Sequence, residues 1–167
     1  GLQHNRWRYY YESGETKSEG YMHGGTKDSL WTYYFENGQE KSVGAYDMGL
    51  KKGIWNYFYE DQALKAQAYY EHDQGEYKEY YPSGVVKMEG RNRSEKSEGT
   101  WTYFFESGKV EAIGKFDDGL RVGHWTYYHE NGEKAAEGSF VKGNRDGLWK
   151  YYHEDGHLKG QGQMFKD

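Results

Sequence analysis

A tryptophan returns along this chain at an interval that admits few folds. It stands at Trp7, Trp31, Trp55, Trp101, Trp125 and Trp149, with Tyr77 filling the gap in the middle. Each step is 24 residues except the 22 from Trp55 to Tyr77. A fixed period in this range marks a repeat architecture, in which each unit buries its apolar face only against its neighbours. The expectation is therefore one array over residues 1–167, with seven units anchored at those positions.

Inside a unit the pattern is that of strands. In Trp101-Thr102-Tyr103-Phe104-Phe105 the rings at offsets 0, +2 and +4 share one face, because successive strand residues point to opposite sides. A Ser-Gly, Asn-Gly or Asp-Gly pair follows, as at Ser107-Gly108, and reads as a tight two-residue hairpin turn. Folding about that turn sets Trp7 opposite Gly20, Trp31 opposite Gly44, Trp101 opposite Gly114, Trp125 opposite Gly138 and Trp149 opposite Gly162. Glycine weakens a strand, and its recurrence there is explained if an indole lies flat over it. Offset +11 is also small, as in Ser18, Ser42 and Ala66, opposite the ring at +2. These tryptophans and glycines are read as the structural anchors of the repeat.

Short Asp-x-Gly connectors such as Asp117-Asp118-Gly119 join one hairpin to the next and favour antiparallel neighbours in sequence order. The fold class expected is all-β, an elongated single-layer antiparallel meander or solenoid of about seven hairpins. Aromatic residues make up 19% of the chain while Leu, Ile and Val are scarce, so ring stacking replaces a thick aliphatic core. The stretch Arg91 to Glu98, where charge replaces the usual connector, reads as an exposed loop.

The repeat Gly-x-Trp-x-Tyr-Tyr-x-Glu-Asn-Gly, followed by Lys-x-Glu-Gly-x-Phe and Asp-x-Gly, resembles the MORN repeat variant, above all the version in bacterial YwqK-type antitoxins. The resemblance covers essentially the whole chain. It implies a non-catalytic scaffold that binds a protein partner, as an antitoxin or immunity-like protein does. The third and fourth units depart from it: Gln62 replaces the turn glycine, Ala68 the glycine opposite Trp55, Tyr77 the tryptophan, and Glu79 and Pro82 the usual Tyr and Glu. That break reads either as drift or as an altered connector, around Glu71 to Gly75, that shapes a groove.

Composition narrows the partners. A net charge of −5 with Lys and Glu interspersed gives no basic stripe for nucleic acid, and disfavours binding of this segment to an anionic membrane surface. The absence of cysteine removes thiol chemistry and suits any redox compartment. Because the chain begins at Gly1, removal of a targeting segment would place it outside the cytoplasm.

No catalytic residue, metal ligand or cofactor is expected. The ladder Glu12, Glu36, Glu60, Glu106, Glu130 and Glu154 repeats at two strand spacings, about 9.6 Å, wider than a retaining glycosidase pair requires. His129 and His153 share offset +4 at the same spacing, too far apart for one zinc ion, and read as substitutes for the ring at that offset. Recognition suits repetition better. The rings at +3, namely Tyr10, Tyr34, Phe58, Tyr80, Phe104, Tyr128 and Tyr152, stand on the charged face as candidate binding anchors. A cell-surface module for glycan or peptide, or a structural spacer, is the alternative use. The first and last strands, near Trp7 and Phe165, are sheet edges open to end-to-end self-association.

Overall fold

The computed structural model describes residues 4–72 and 74–165. Every regular element in them is a strand, and the chain divides into two compact units, Gly1–Gly84 and Val85–Asp167. The first unit holds β1 (His4–Tyr10), β2 (Thr16–His23), β3 (Thr26–Tyr34), β4 (Glu40–Asp47), β5 (Leu50–Phe58), β6 (Leu64–Glu71) and β7 (Gln74–Tyr80). The second holds β8 (Val86–Arg93), β9 (Lys96–Phe104), β10 (Val110–Asp117), β11 (Leu120–Tyr128), β12 (Lys134–Val141), β13 (Asn144–Tyr152) and β14 (Leu158–Met164). Within each unit the strands lie side by side in sequence order, with the antiparallel pairing expected of a meander.

The hairpin register follows the anchors. Trp7 pairs with Gly20, Trp31 with Gly44, Trp55 with Ala68, Trp101 with Gly114, Trp125 with Gly138 and Trp149 with Gly162. The turn differs from the expectation. Gly14 N–H donates to the Tyr11 carbonyl and Tyr11 N–H to the Glu15 carbonyl, so a four-residue turn closes the hairpin, and the register slips between Tyr9 and Tyr10. A two-residue turn of the type expected would need positive φ at both central residues, and here Gly14 has it while Ser13 does not.

The tight two-residue turns lie at the connectors instead, as at Met48-Gly49, where both residues have positive φ. The same turn corrects the reading of Arg91 to Glu98 as a loop. Strand β8 runs to Arg93, Ser94 and Glu95 turn with φ of 47° and 65°, and β9 begins at Lys96. Two residues suffice to reverse the chain, so the charged side chains decorate strands.

Each connector pairing but one carries a second irregularity. Across β10 and β11, Ile113 pairs with Thr126 but Lys115 pairs with Val122, leaving two extra residues, Gly123 and His124, as a bulge before Trp125. Equivalent slips occur on β2–β3, β4–β5, β8–β9 and β12–β13. Between β6 and β7 the ladder runs unbroken from Ala66–Glu79 to Glu71–Gln74. The 22-residue step is thus a 24-residue repeat that has lost its bulge.

The anchors are buried on one face: Trp31, Trp55, Trp101, Trp125 and Trp149 are all at most 3% exposed. A thin sheet achieves this because side chains close over the indoles, three of them at Trp55 and at Trp149. At Trp55, Tyr46 packs edge-on at 5.0 Å, Tyr33 tilts against it at 6.2 Å, and the Lys51 ammonium sits 4.8 Å above the ring. At Trp149, Phe140 stands edge-on at 5.2 Å, Tyr127 tilts at 6.1 Å, and the Arg145 guanidinium lies 4.4 Å away. The long basic stems cover apolar rings while their charge meets the π face, which is favourable for a cation held out of bulk water.

Candidate interaction surface

The steric role of the repeated glycine is not the one its hairpin pairing suggests. A Cβ at Gly20 would fall inside the indole of Trp31, not of Trp7, and one at Gly114 inside Trp125. Gly44, Gly90 and Gly138 stand in the same relation to Trp55, Trp101 and Trp149. Each of these five indoles therefore lies over the preceding hairpin, and its Nε1 donates to the next carbonyl along, as from Trp31 to Tyr21 at 2.8 Å and from Trp55 to Ala45 at 3.0 Å. The departure at Ala68 and Tyr77 follows the same rule, since these two are direct neighbours on β6 and β7. The one anchor that is not Trp sits against the one such position that is not Gly. The Tyr77 phenol donates to Glu79 at 3.1 Å, and burial pushes it above the usual phenol range.

The opposite face carries the rings at +3. Tyr10 is exposed, and Tyr34, Phe58, Tyr80, Phe104, Tyr128 and Tyr152 are half-buried. Two are pinned by carboxylates of the preceding repeat. Tyr34 Oη donates to Glu19 at 3.1 Å, and Tyr152 Oη to Glu137 at 2.7 Å. The hydrogen bond from Arg8 does most to hold the Glu19 carboxyl below its usual range; the bond from Tyr152, then that from Lys134, does so at Glu137. Fixed rings edged with charge present area without much entropy left to lose on binding.

The rings at +4 stitch repeats together. Tyr11 Oη donates to the Tyr34 carbonyl at 2.7 Å, Tyr59 Oη to the Tyr80 carbonyl at 3.0 Å, and His129 Nε2 lies 3.0 Å from the Tyr152 carbonyl. His129 thus fills the tyrosine's place. Among the described residues no group of three or more His, Asp or Glu is arranged to hold a metal ion. The expected groove around Glu71 to Gly75 includes residue 73, which lies outside the described residues; on either side of it the strands pair regularly.

One feature of this outer face is absent from the reading of the sequence. In the first unit Tyr21, Leu30, Ile54 and Tyr69 are 43%, 57%, 58% and 58% exposed. They occupy offsets −1 and +14, as does Ala45, and mark a line across β2 to β6: Leu30 is opposite Ala45 and Ile54 opposite Tyr69, while at the two bulged pairings the charged Asp28 and Lys52 stand opposite Tyr21 and Ala45. Arg6 and Glu76 bracket it, opposite Tyr21 and Tyr69. In the second unit the same offsets carry Arg91, Thr100, Lys115, His124, Ser139 and Gln163, with Leu148 alone apolar. An exposed apolar row confined to one unit is not demanded by the repeat, and such patches mark interaction sites. The signal was present in the sequence as apolar residues just before the anchors, outside the hairpin span from 0 to +13.

The family model described as MORN repeat variant matches residues 3–23, 73–91, 97–118, 121–142 and 145–167, more than half of the chain. No curated protein matches it. Among solved structures, a TarM mutant from S. aureus in complex with Fondaparinux, alpha-GlcNAc-glycerol and UDP is similar at 14% identity and a TM-score of 0.41. The similarity covers 56% of this chain and 19% of that one.

Proposed function

The chain belongs to the MORN repeat variant family, and from that premise we propose that it is a non-catalytic scaffold that binds a protein partner on the outer face of its first unit, in the manner of an antitoxin or immunity-like protein. The observation that carries this reading is the apolar row Tyr21, Leu30, Ala45, Ile54 and Tyr69. The fold has no use for it, since the indoles and their covering rings lie on the other face. The half-buried rings Tyr34 and Phe58 stand four residues further along β3 and β5 on the same side, so apolar area continues inward from the row. Charged Arg6 and Glu76 at its ends supply the polar rim that protein interfaces carry. The partner that fits is a protein with an apolar strip or extended segment, oriented by opposite charges at its two ends.

The test is capture from native lysate by the immobilised chain, compared with a Leu30→Ser, Ile54→Ser, Tyr69→Ser variant. These exposed positions should change stability by less than about 0.5 kcal/mol each. A single stoichiometric protein held by the parent and lost by the variant supports the proposal. Equal capture by both would sink the assignment of the face. Failure to retain any protein, with binding on a glycan array, would replace protein recognition by the glycan-binding alternative.

A further inference from the structure

The cation that closes over an indole is provided for differently in the two units. At offset −4 the first unit has Lys27 and Lys51, and the second has Arg121 and Arg145. Both lysines are closed in by phenols. Lys27 Nζ donates to Tyr33 Oη at 2.6 Å, and the Tyr33 and Tyr46 hydroxyls lie 3.0 Å apart. Lys51 donates to Tyr57 Oη at 3.2 Å, lies over the Tyr70 ring and is 8% exposed. In the second unit the offset of Tyr46 and Tyr70 carries Phe116 and Phe140, which have no hydroxyl to accept a bond. Arg121 lies over the Phe140 ring at 5.5 Å, and Arg145 is opposite Phe140 on the neighbouring strand.

Each guanidinium is therefore left with one phenol. Arg145 Nη1 donates to Tyr151 Oη at 3.0 Å, and Arg121 Nη1 lies 3.5 Å from Tyr127 Oη. A guanidinium has five N–H donors, and among the described residues neither arginine has a carboxylate within ion-pair distance. Arg121 stands on β11 with a strand paired on either side, so its surroundings are complete. The two charges converge on Tyr127: burial raises its phenol above the usual range, and Arg121 and Arg145 both oppose the rise. The indoles beneath hold the cations in place, at 4.7 Å over Trp125 and 4.4 Å over Trp149. An arginine so held has little freedom left to lose, and its planar fork suits a carboxylate.

Arg121 and Arg145 recur at one offset in successive hairpins, two strand spacings or about 9.6 Å apart, and Tyr127 and Tyr151 recur with them. A ligand crossing from β11 to β13 thus meets a guanidinium and a phenol once per repeat. In an extended strand the side chains on one side recur every 6.8 Å or so, out of step with that spacing. In polyproline II three residues advance about 9.3 Å and bring the same side round again.

We propose that the inner face of the second unit binds an acidic segment of a partner protein in the polyproline II conformation, with one carboxylate on Arg121 and Tyr127 and the carboxylate three residues away on Arg145 and Tyr151. Charge complementarity names the occupant. Two cations without carboxylates, beside the half-buried rings Phe116, Tyr127 and Tyr151, take a segment with an acid at every third position and proline between. A dense polyanion is opposed by the net charge of −5. The site lies apart from the outer face of the first unit and shares with it only the reading of the chain as a protein binder.

The test is fluorescence anisotropy with a labelled peptide of four Glu-Pro-Pro triplets, against a peptide of the same composition with its glutamates in one block. The parent should bind the spaced peptide with a Kd below about 1 mM and the blocked one at least about tenfold more weakly. Arg121→Gln and Arg145→Gln should each weaken binding about tenfold, whereas Lys150→Gln, the same charge change on the outer face, should leave it within about twofold. The pair Arg121→Lys, Phe140→Tyr copies the closed arrangement of Lys27 and Tyr46; it should keep the parent's urea midpoint and lose binding as Arg121→Gln does. The outer-face variant Leu30→Ser, Ile54→Ser, Tyr69→Ser should bind the peptide as the parent does, so this site and the outer-face reading fail separately. Equal affinity for the two peptides, equal effects of Arg121→Gln and Lys150→Gln, or loss of the peptide in the outer-face variant would overturn the proposal. So would no binding of the spaced peptide up to about 1 mM, with or without binding to vesicles of phosphatidylcholine and phosphatidylserine.

Discussion

Replacing Gly114 by alanine adds one carbon at a place the structure reserves for a ring. The new Cβ would overlap Cγ, Cδ2 and Cε2 of Trp125. These are the fused rim of a buried indole held edge-on by Phe116 at 5.3 Å and capped by Arg121 at 4.7 Å, so the ring cannot turn aside without opening its own packing. Overpacking of this kind costs about 1–3 kcal/mol. The backbone at Gly114 does not have positive φ, and alanine in an ordinary strand conformation would by itself gain about 0.5–1 kcal/mol, which offsets part of the cost. A net loss of about 0.5–2 kcal/mol follows, or a fall of roughly 1–8 °C in Tm for a chain of this size. Gly162→Ala, at the same offset with open space above it, should be neutral or slightly stabilising. Pairing Gly114→Ala with Trp125→Tyr reproduces the natural Ala68 and Tyr77 combination, and the double variant should be more stable than the sum of the singles by about 1 kcal/mol. Urea unfolding of the parent and the four variants gives all these values. The steric account fails if Gly114→Ala and Gly162→Ala agree within about 0.5 kcal/mol, or if Gly114→Ala and Trp125→Tyr are strictly additive.

Two further outcomes follow from the outer face and the turns. Glu137 has its pKa depressed by the bonds from Tyr152 and Lys134, so its contribution is complete above the unfolded carboxyl range, about 4.3, and is lost as pH falls through the lower folded value. Glu137→Gln should therefore be less stable than the parent at pH 7, with the gap closing between pH 5 and 3 in pH-dependent urea unfolding; a gap independent of pH would refute the linkage. Glu95 turns a connector at φ 65° where Gly49 and Gly119 serve elsewhere, so Glu95→Gly should gain about 1 kcal/mol, and a lower urea midpoint would show that its side chain contributes more than its backbone costs.

The sequence by itself determined the strand content, the meander order and the pairing of each tryptophan with the small residue at offset +13. Turn residues and a two-residue side-chain period act locally, so a copy repeated every 24 residues reveals both. It also carried the substitution of His129 for a ring. Other features were visible only as anomalies. The 22-residue step did not disclose that a bulge had been lost, and the charged run from Arg91 to Glu98 concealed two strands, because turn type depends on φ rather than on polarity. What the tertiary structure alone decided is which indole covers which glycine. A ring leans across to the neighbouring strand according to the bulge and twist between two hairpins, and that relation joins residues of different repeats. The pairing of Trp7 with Gly20 was legible within one hairpin; the seating of Trp31 on Gly20 required the hairpins to be placed side by side.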